Sequence, residues 1–252
     1  MMRKENMVIL KKSPIAQDTI EMVLENKYIS NTAVPGQFLH LQLKGHMLRR
    51  PISISQVDEH AETVTILFKV VGSGTKELAS YPIGNSIDVL GPSGNGFPLE
   101  PKANSTILII GGGIGVPPLY YLARKLKEQQ VNIVSVLGFQ TKESVFYEEK
   151  FAELGRTIIV TNDGSYGRKG FVTNVLDDVS SIDCYYSCGP LPMLQAITAQ
   201  MAGKHGYISL EERMGCGVGA CFACVIPTDD CGGYKKICKD GPVFPAQEVQ
   251  LV

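Results

Sequence analysis

No stretch of this 252-residue chain approaches the about 20 consecutive apolar residues that crossing a bilayer requires. Its opening, MMRKENMVILKKSPIAQ, has basic residues but neither the long apolar core nor the cleavage site of a secretory leader, so a cytoplasmic protein is expected. Basic runs are missing too. With 24 basic against 25 acidic residues the net charge is −1, which gives a nucleic acid nothing to hold. Internal repeats and low-complexity tracts are absent, which excludes a linear array of modules. What is left is an ordinary globular composition, 44% apolar and 19% charged, at a length that fits two medium domains and a small appendage.

Cysteine is where the chain is rich. Seven cysteines in a cytosolic chain point to metal or redox chemistry, because that compartment keeps structural disulfides reduced. Five of them fall in MGCGVGACFACVIPTDDCGGYKKIC, residues 214–238. Cys216, Cys221 and Cys224 are spaced C-x4-C-x2-C, and Cys238, after thirteen more residues, completes a set of four. This is the thiolate spacing of a plant-type [2Fe-2S] site. Gly215, Gly217, Gly219 and Ala220 keep side chains clear, so that backbone N–H groups can face the cluster. Zinc is the alternative, but zinc ribbons pair two C-x2-C knuckles and only Cys221/Cys224 forms one here. Cys231 competes with Cys238 as fourth ligand. Its neighbours Asp229, Asp230, Gly232 and Gly233 read as an exposed turn, which favours Cys238 as ligand and Cys231 as a free surface thiol.

Residues 1–101 read as an all-β barrel domain. Six short alternating or β-branched runs, 6–10, 19–25, 37–43, 51–55, 63–71 and 86–90, are bounded by turn residues and interrupted by one short helix at 75–81. Arg49-Arg50-Pro51-Ile52-Ser53 sets a guanidinium near a hydroxyl at a strand start, which suits the phosphate and ring nitrogen of one extended ligand. The glycine loop Val71-Gly72-Ser73-Gly74-Thr75 opens a helix and could receive an anion. Each also has a plain structural reading, a solvated edge and a turn.

From residue 102 the pattern changes to β/α alternation, expected to form a parallel sheet covered by helices through residue 210. Strand 106–110, the loop Gly111-Gly112-Gly113-Ile114-Gly115, and a helix starting Val116-Pro117-Pro118 form a layout that brings backbone against a pyrophosphate. The strict G-x-G-x-x-G is absent, as is a ribose-binding acid after the next strand, 132–139. Further strands are expected at 157–161, 183–187 and 206–210, with helices at 171–176 and 191–201. Asn162 to Gly167 and Cys188-Gly189-Pro190 lie at strand carboxyl ends, where such sheets bind ligands. Read without a relative, Cys188 is a small buried hydrophobe. Residues 211–252 form a third unit, the cluster subdomain, whose tail Gly241 to Ala246 carries no assignable pairing.

The succession RPIS, GSGT, GGGIGVPP, SCGPLPM, ERMGCGVGACFACV and KICKDGPVF resembles the electron-transfer subunits of the NAD-dependent, two-subunit bacterial dihydroorotate dehydrogenases over almost the whole chain. More broadly, the first two domains resemble the ferredoxin reductase superfamily. The resemblance implies an FAD-binding β-barrel, an NAD-binding α/β domain and a [2Fe-2S] subdomain. It implies that Arg50, Pro51, Ile52 and Ser53 line the FAD, with Leu67, Phe68 and Lys69 alongside and Gly74 and Thr75 on the pyrophosphate. Gly111, Gly112, Gly113 and Gly115 would cradle NAD, and Cys188, Gly189 and Pro190 would approach the nicotinamide. The superfamily has an aromatic where Ile52 stands, so stacking on the flavin must come from elsewhere. Asp163, in a loop that carries Ser and Arg in NADP-using members, is expected to favour NAD by repelling a 2′-phosphate, or else to cap its turn, with Arg168 near enough to bind phosphate.

NAD exchanges hydride, an iron-sulfur cluster passes single electrons, and a flavin does both, so a chain holding all three converts one currency into the other. The resemblance implies flow from an FMN-containing catalytic subunit through [2Fe-2S] and FAD to NAD+, within a heterotetramer of pyrimidine biosynthesis. The sequence shows no base or orotate site of its own. The alternatives are an NAD(P)H-dependent reductase feeding another acceptor such as an oxygenase, and a zinc-binding scaffold.

Overall fold

The computed structural model describes residues 2–179, 181–229 and 231–251, so Asp230, which the sequence reads as part of a turn, lies outside the described residues. The first six strands are β1 (Arg3–Ala16), β2 (Thr19–Glu25), β3 (Phe38–Leu41), β4 (Arg50–Asp58), β5 (Thr63–Lys69) and β6 (Ser86–Ser93). They close into a barrel in the order β1-β2-β5-β4-β3-β6, every pair antiparallel. The period-two pattern explains the closure. Met7/Ile9, Met22/Leu24, Leu39/Leu41, Val64/Ile66/Phe68 and Ile87/Val89 are all buried in one core, each fully buried large side chain contributing roughly 1.5–3 kcal/mol. Two short helices flank these strands, α1 (Lys27–Thr32) and α2 (Ser73–Ser80). The sequence pattern does not announce α1, a six-residue element held by the Asn26 side chain, which accepts from Ile29 N–H at 2.8 Å, and by the fully buried Ile29.

The second layer is a seven-stranded sheet. Its members are β7 (Thr106–Gly112), β8 (Asn132–Phe139), β9 (Arg156–Thr161), β10 (Arg168–Lys169), β11 (Cys184–Cys188), β12 (Gly206–Ser209) and, after the hairpin β13 (Val225–Pro227) and β14 (Tyr234–Lys236), β15 (Val243–Pro245). The order is β10-β9-β8-β7-β11-β12-β15. Helix α3 (Val116–Glu128) covers one face with Leu119, Leu122, Ala123 and Leu126, packed with Ile107 and Ile109. Leu108 and Ile110 on the opposite face pack with Leu194 and Ile197 of α5 (Leu191–Gln200), the short α4 (Glu148–Ala152) lying between β8 and β9 in the chain. The helix expected at 171–176 is a 3₁₀ stretch, Val172–Asp178, as suits a segment with three β-branched residues in four positions.

The tail that the sequence left unassigned completes the sheet. β15 pairs antiparallel with β12, Tyr207 opposite Pro245, and Leu210 N–H donates to the Pro242 carbonyl at 2.9 Å. The third segment is thereby stitched to the second. It also grips the barrel, because Asn95 N–H donates to Gly241 O at 2.6 Å and Asn95 Nδ2 donates to Asp240 O at 2.9 Å. Tyr121 of α3 donates its hydroxyl to the Ala33 carbonyl of the barrel at 2.8 Å, so α3 is held between sheet and barrel.

Candidate functional site

Two clefts open where the units meet. The first, about 820 Å³, runs along β4 and β5 past the start of α2 to the segment Ser209–Met214. It is lined by Arg50, Pro51, Ile52, Ser53, Leu67, Phe68, Lys69, Gly74 and Thr75, every barrel residue singled out for a flavin. The two adjacent arginines divide their work. Arg49 donates to His40 O, to Asp88 O and, at 2.6 Å, to Asp88 Oδ1, which makes it a staple across β3 and β6. Arg50 instead donates to the Leu48 carbonyl at 2.6 Å, meets His46 Nδ1 at 3.1 Å and lies over Gly74. Thr75 Oγ1 accepts from Val71 and Gly72 N–H, fixing the glycine turn ahead of α2.

The second cleft, about 660 Å³, sits over the carboxyl ends of β7, β8, β9 and β11, where the strand order reverses about β7. Gly112, Gly113, Gly115, Gly189 and Pro190 line it. Close approach explains the glycines: a Cβ on Gly115 would stand 2.4 Å from the Cys188 carbonyl oxygen, and one on Gly189 3.1 Å from Gly112 N. Gly111 lies outside this lining, within β7 beneath Val116 and Leu119. Cys188 is likewise outside both linings. It is fully buried, and burial pushes its thiol well above the ordinary range. The structure thus places its side chain as a packed small hydrophobe and leaves the turn that follows, Gly189-Pro190, to face the cleft.

Asp163 is also not in the lining, where Asn162 stands instead. Its Oδ1 accepts from Ser165 N–H at 3.0 Å and Ser165 Oγ at 2.7 Å, and these bonds hold its carboxyl below the usual range. This is the turn-capping arrangement. Arg168 pairs with Asp178 rather than reaching towards the cleft.

The two clefts share Lys69, Ile114 and Glu211. Sequence reading singled out Lys69, included Ile114 in the glycine loop expected to meet a pyrophosphate, and gave Glu211 no role. Glu211 is exposed through the cavities yet ringed by protein, and that desolvation raises its carboxyl pKa. Nothing in its local pattern marks it, since the strand end that presents it meets the barrel only in three dimensions.

In the loop that follows the Ser209–Met214 wall of the first cleft, the four cysteines pair two and two. Cys216 and Cys221 exchange contacts, Cys216 N–H to Cys221 Sγ at 3.5 Å and Cys221 N–H to Cys216 Sγ at 3.3 Å, while the Cys224 and Cys238 thiols hydrogen-bond to each other. Gly217 and Gly219, at φ of +69° and +80°, turn the loop so that Val218 N–H faces Cys216 Sγ and Gly219 N–H donates to Cys238 Sγ at 3.2 Å. Burial pushes the Cys216 thiol up, but the N–H groups of Val218 and Cys221 outweigh it and bring it down to about 6. Burial, then the Cys224 thiol, pushes Cys238 up to about 12. Among the described residues no three His, Cys, Asp or Glu side chains converge on one metal ion. Two thiol pairs beneath a fan of N–H donors fit a two-iron rhomb, two thiolates per iron. Cys231 is exposed and stands apart.

Beside this loop lies a buried imidazole. His40 of β3 is fully buried, and a Cβ on Gly217 would stand 2.2 Å from its Nδ1. Neither ring nitrogen completes a well-formed hydrogen bond, and the Arg49 backbone is the one polar group that acts on the ring in the opposite sense to burial. Burial first, then the Arg49 guanidinium, push this histidine down to about 4.

Comparison with known proteins follows the same three parts. Residues 6–97 match the family described as the oxidoreductase FAD-binding domain and residues 109–199 the oxidoreductase NAD-binding domain. Residues 211–250 match the iron-sulfur cluster binding domain of dihydroorotate dehydrogenase B. Proteins of Bacillus cereus (strain B4264) and Bacillus anthracis (strain CDC 684 / NRRL 3495) named dihydroorotate dehydrogenase B (NAD(+)), electron transfer subunit, are each 51% identical over 259 aligned positions covering 100% of both chains. An NADH-dependent reduced ferredoxin-NADP oxidoreductase structure, described for flavin-based electron bifurcation, superposes at a TM-score of 0.89 and 32% identity over 97% of this chain and 90% of that one. The Amycolatopsis cytochrome P450 reductase, at 22% identity and a TM-score of 0.69 over 79% and 65%, shares the fold. A likeness that runs unbroken from the barrel strands through the paired thiols, at half of all positions, means that the chain belongs to the family of dihydroorotate dehydrogenase B (NAD(+)) electron transfer subunits.

Proposed function

We propose that this chain takes electrons from a dihydroorotate-oxidising, FMN-containing catalytic subunit and delivers them to NAD+, in the cytoplasm and in a heterotetramer of two copies of each subunit. The observation that carries the reading is the meeting of the two clefts at Lys69, Ile114 and Glu211, with the thiol pairs in the loop that continues from the wall of the first cleft. Bound cofactors would supply single-electron chemistry at the cluster, hydride chemistry at NAD and conversion between them at FAD. The residues supply position. Arg50 and the start of α2 would hold the FAD phosphates, Ile52, Ser53 and Leu67 its ring, and Gly112 to Gly115 with Gly189 and Pro190 the dinucleotide. Lys69, Ile114 and Glu211 would line the junction at which the two cofactors meet. The functional units are residues 1–101, 102–210 and 211–252, the last anchored to the second through β15.

Co-expression with an FMN-containing barrel subunit tests this. The purified complex should reduce NAD+ with dihydroorotate, while this chain alone should oxidise NADH with a dye but leave dihydroorotate untouched. No complex, together with rapid reduction of an oxygenase-type acceptor, would assign the chain to the other reductases of the superfamily.

A further inference from the structure

The barrel sends one polar side chain with no hydrogen-bond partner towards the cluster loop. His40 is fully buried, and both ring nitrogens lack a hydrogen bond, although an unpaired buried donor costs roughly 1–3 kcal/mol. Its surroundings in the barrel offer only the Arg49 backbone, without a well-formed hydrogen bond to either nitrogen. Its cross-strand neighbour in β4 is Pro51, which has no N–H, and Phe38 meets the ring edge to face at 6.4 Å between centroids. Arg49 uses its guanidinium on the His40 carbonyl, and so grips the backbone of β3 rather than the ring. The Nδ1 edge abuts Gly217, between Cys216 and the N–H groups of Val218 and Gly219 that face the thiols. The absence of a side chain at Gly217 is what admits the ring, since a Cβ there would collide with Nδ1 and Cε1 at 2.2 and 2.5 Å.

We infer that His40 is a positioning residue for the iron-sulfur centre, its imidazole N–H donating a hydrogen bond to a sulfur of the cluster held by Cys216, Cys221, Cys224 and Cys238. The inference rests on the proposed cluster, and it identifies the partner for which a buried donor is kept. A neutral imidazole carries one N–H and one lone pair, and a cluster sulfur gains negative charge on reduction. A donor aimed at it therefore stabilises the reduced form and raises the potential. Phe38 lines the first cleft and touches His40, so the same residue pair spans the distance from the flavin cleft to the cluster loop.

The test uses the complete heteromeric enzyme with histidine isotopically labelled at the ring nitrogens, reduced and examined by pulsed EPR. A [2Fe-2S] signal by itself establishes the cluster, independently of His40. The expected result is a histidine nitrogen coupled to that signal and lost in His40→Leu, the protein's other three histidines contributing nothing. In redox titration His40→Leu should lower the reduced-to-oxidised ratio at fixed poise about tenfold, equivalent to about 59 mV, and His40→Gln, which keeps an N–H donor, should recover part of it. A cluster signal without histidine coupling in the wild-type enzyme would overturn the inference. So would equal shifts in the Leu and Gln variants, which would mark His40 as packing alone. Should His40→Leu not retain its cluster, the wild-type coupling and the His40→Gln titration decide.

Discussion

The Arg50 side chain lies so close over Gly74 that a methyl group on that glycine would stand 2.4 Å from the guanidinium Nε. A strand start and a helix start, more than twenty residues apart in sequence, are thereby brought to one point in the first cleft. The guanidinium sits beside the positive end of α2, an arrangement that is uncomfortable unless an anion lies between them.

Two substitutions follow from that contact. Arg50→Ala should weaken FAD retention by about 1.5–3 kcal/mol, the worth of a hydrogen bond to a charged group. Gly74→Ala should weaken it too, by driving the guanidinium aside without changing any charge. Flavin release on dilution, followed by fluorescence, measures both, and wild-type affinity in Arg50→Ala would remove Arg50 from the phosphate site.

The cysteines separate into three groups. Serine at Cys216, Cys221, Cys224 or Cys238 should abolish or cripple iron incorporation, because each substitution breaks one of the two thiol pairs, while Cys231→Ser should keep full iron and sulfide. In native holoprotein an alkylating reagent should reach Cys231 and spare Cys184 and Cys188, whose thiols are buried and pushed up by burial. Mass spectrometry before and after unfolding reads this directly. Labelling of Cys188 in the native state would return it to the wall of the cleft.

The hold between barrel and sheet has its own test. The Tyr147 hydroxyl donates to Glu21 Oε2 of β2, Lys150 Nζ binds the same oxygen at 3.1 Å, and the ammonium lies 3.8 Å above the Tyr147 ring centroid. Tyr147→Phe keeps the ring and the cation contact but removes the hydroxyl from a half-buried carboxylate contact. Stability to urea should fall by about 1.5–3 kcal/mol, with cofactor content unchanged. No loss of stability would mean that α3 and the Asn95 contacts suffice to hold the barrel.

Cofactor choice should not follow Asp163. Its carboxylate is occupied by Ser165 and lies outside the lining of the second cleft. The ratio of kcat/KM for NADH and NADPH should be the same in wild type and Asp163→Ser. A gain in NADPH use by the variant would restore the repulsive role expected from sequence.

Local patterns carried much of this in advance. The period-two runs that became β2, β5 and β6 were legible because one face of each must enter a core. The C-x4-C-x2-C run and its glycines were legible because thiol spacing and backbone access are written within a few residues. Arg50 and Ser53 could be singled out for the same reason, being neighbours on one strand. Short elements escaped. α1 depends on a cap and one buried isoleucine, and β15 has no partner until β12 is beside it. The division of labour between Arg49 and Arg50, the capping of a turn by Asp163, the burial of Cys188, and the meeting of Lys69, Ile114 and Glu211 were decided only by tertiary structure. For all but Asp163, whose partner Ser165 lies two residues on, the deciding atom belongs to a segment far away in the chain, and a side chain's chemistry is set by the groups that surround it in space rather than by those that precede it in sequence.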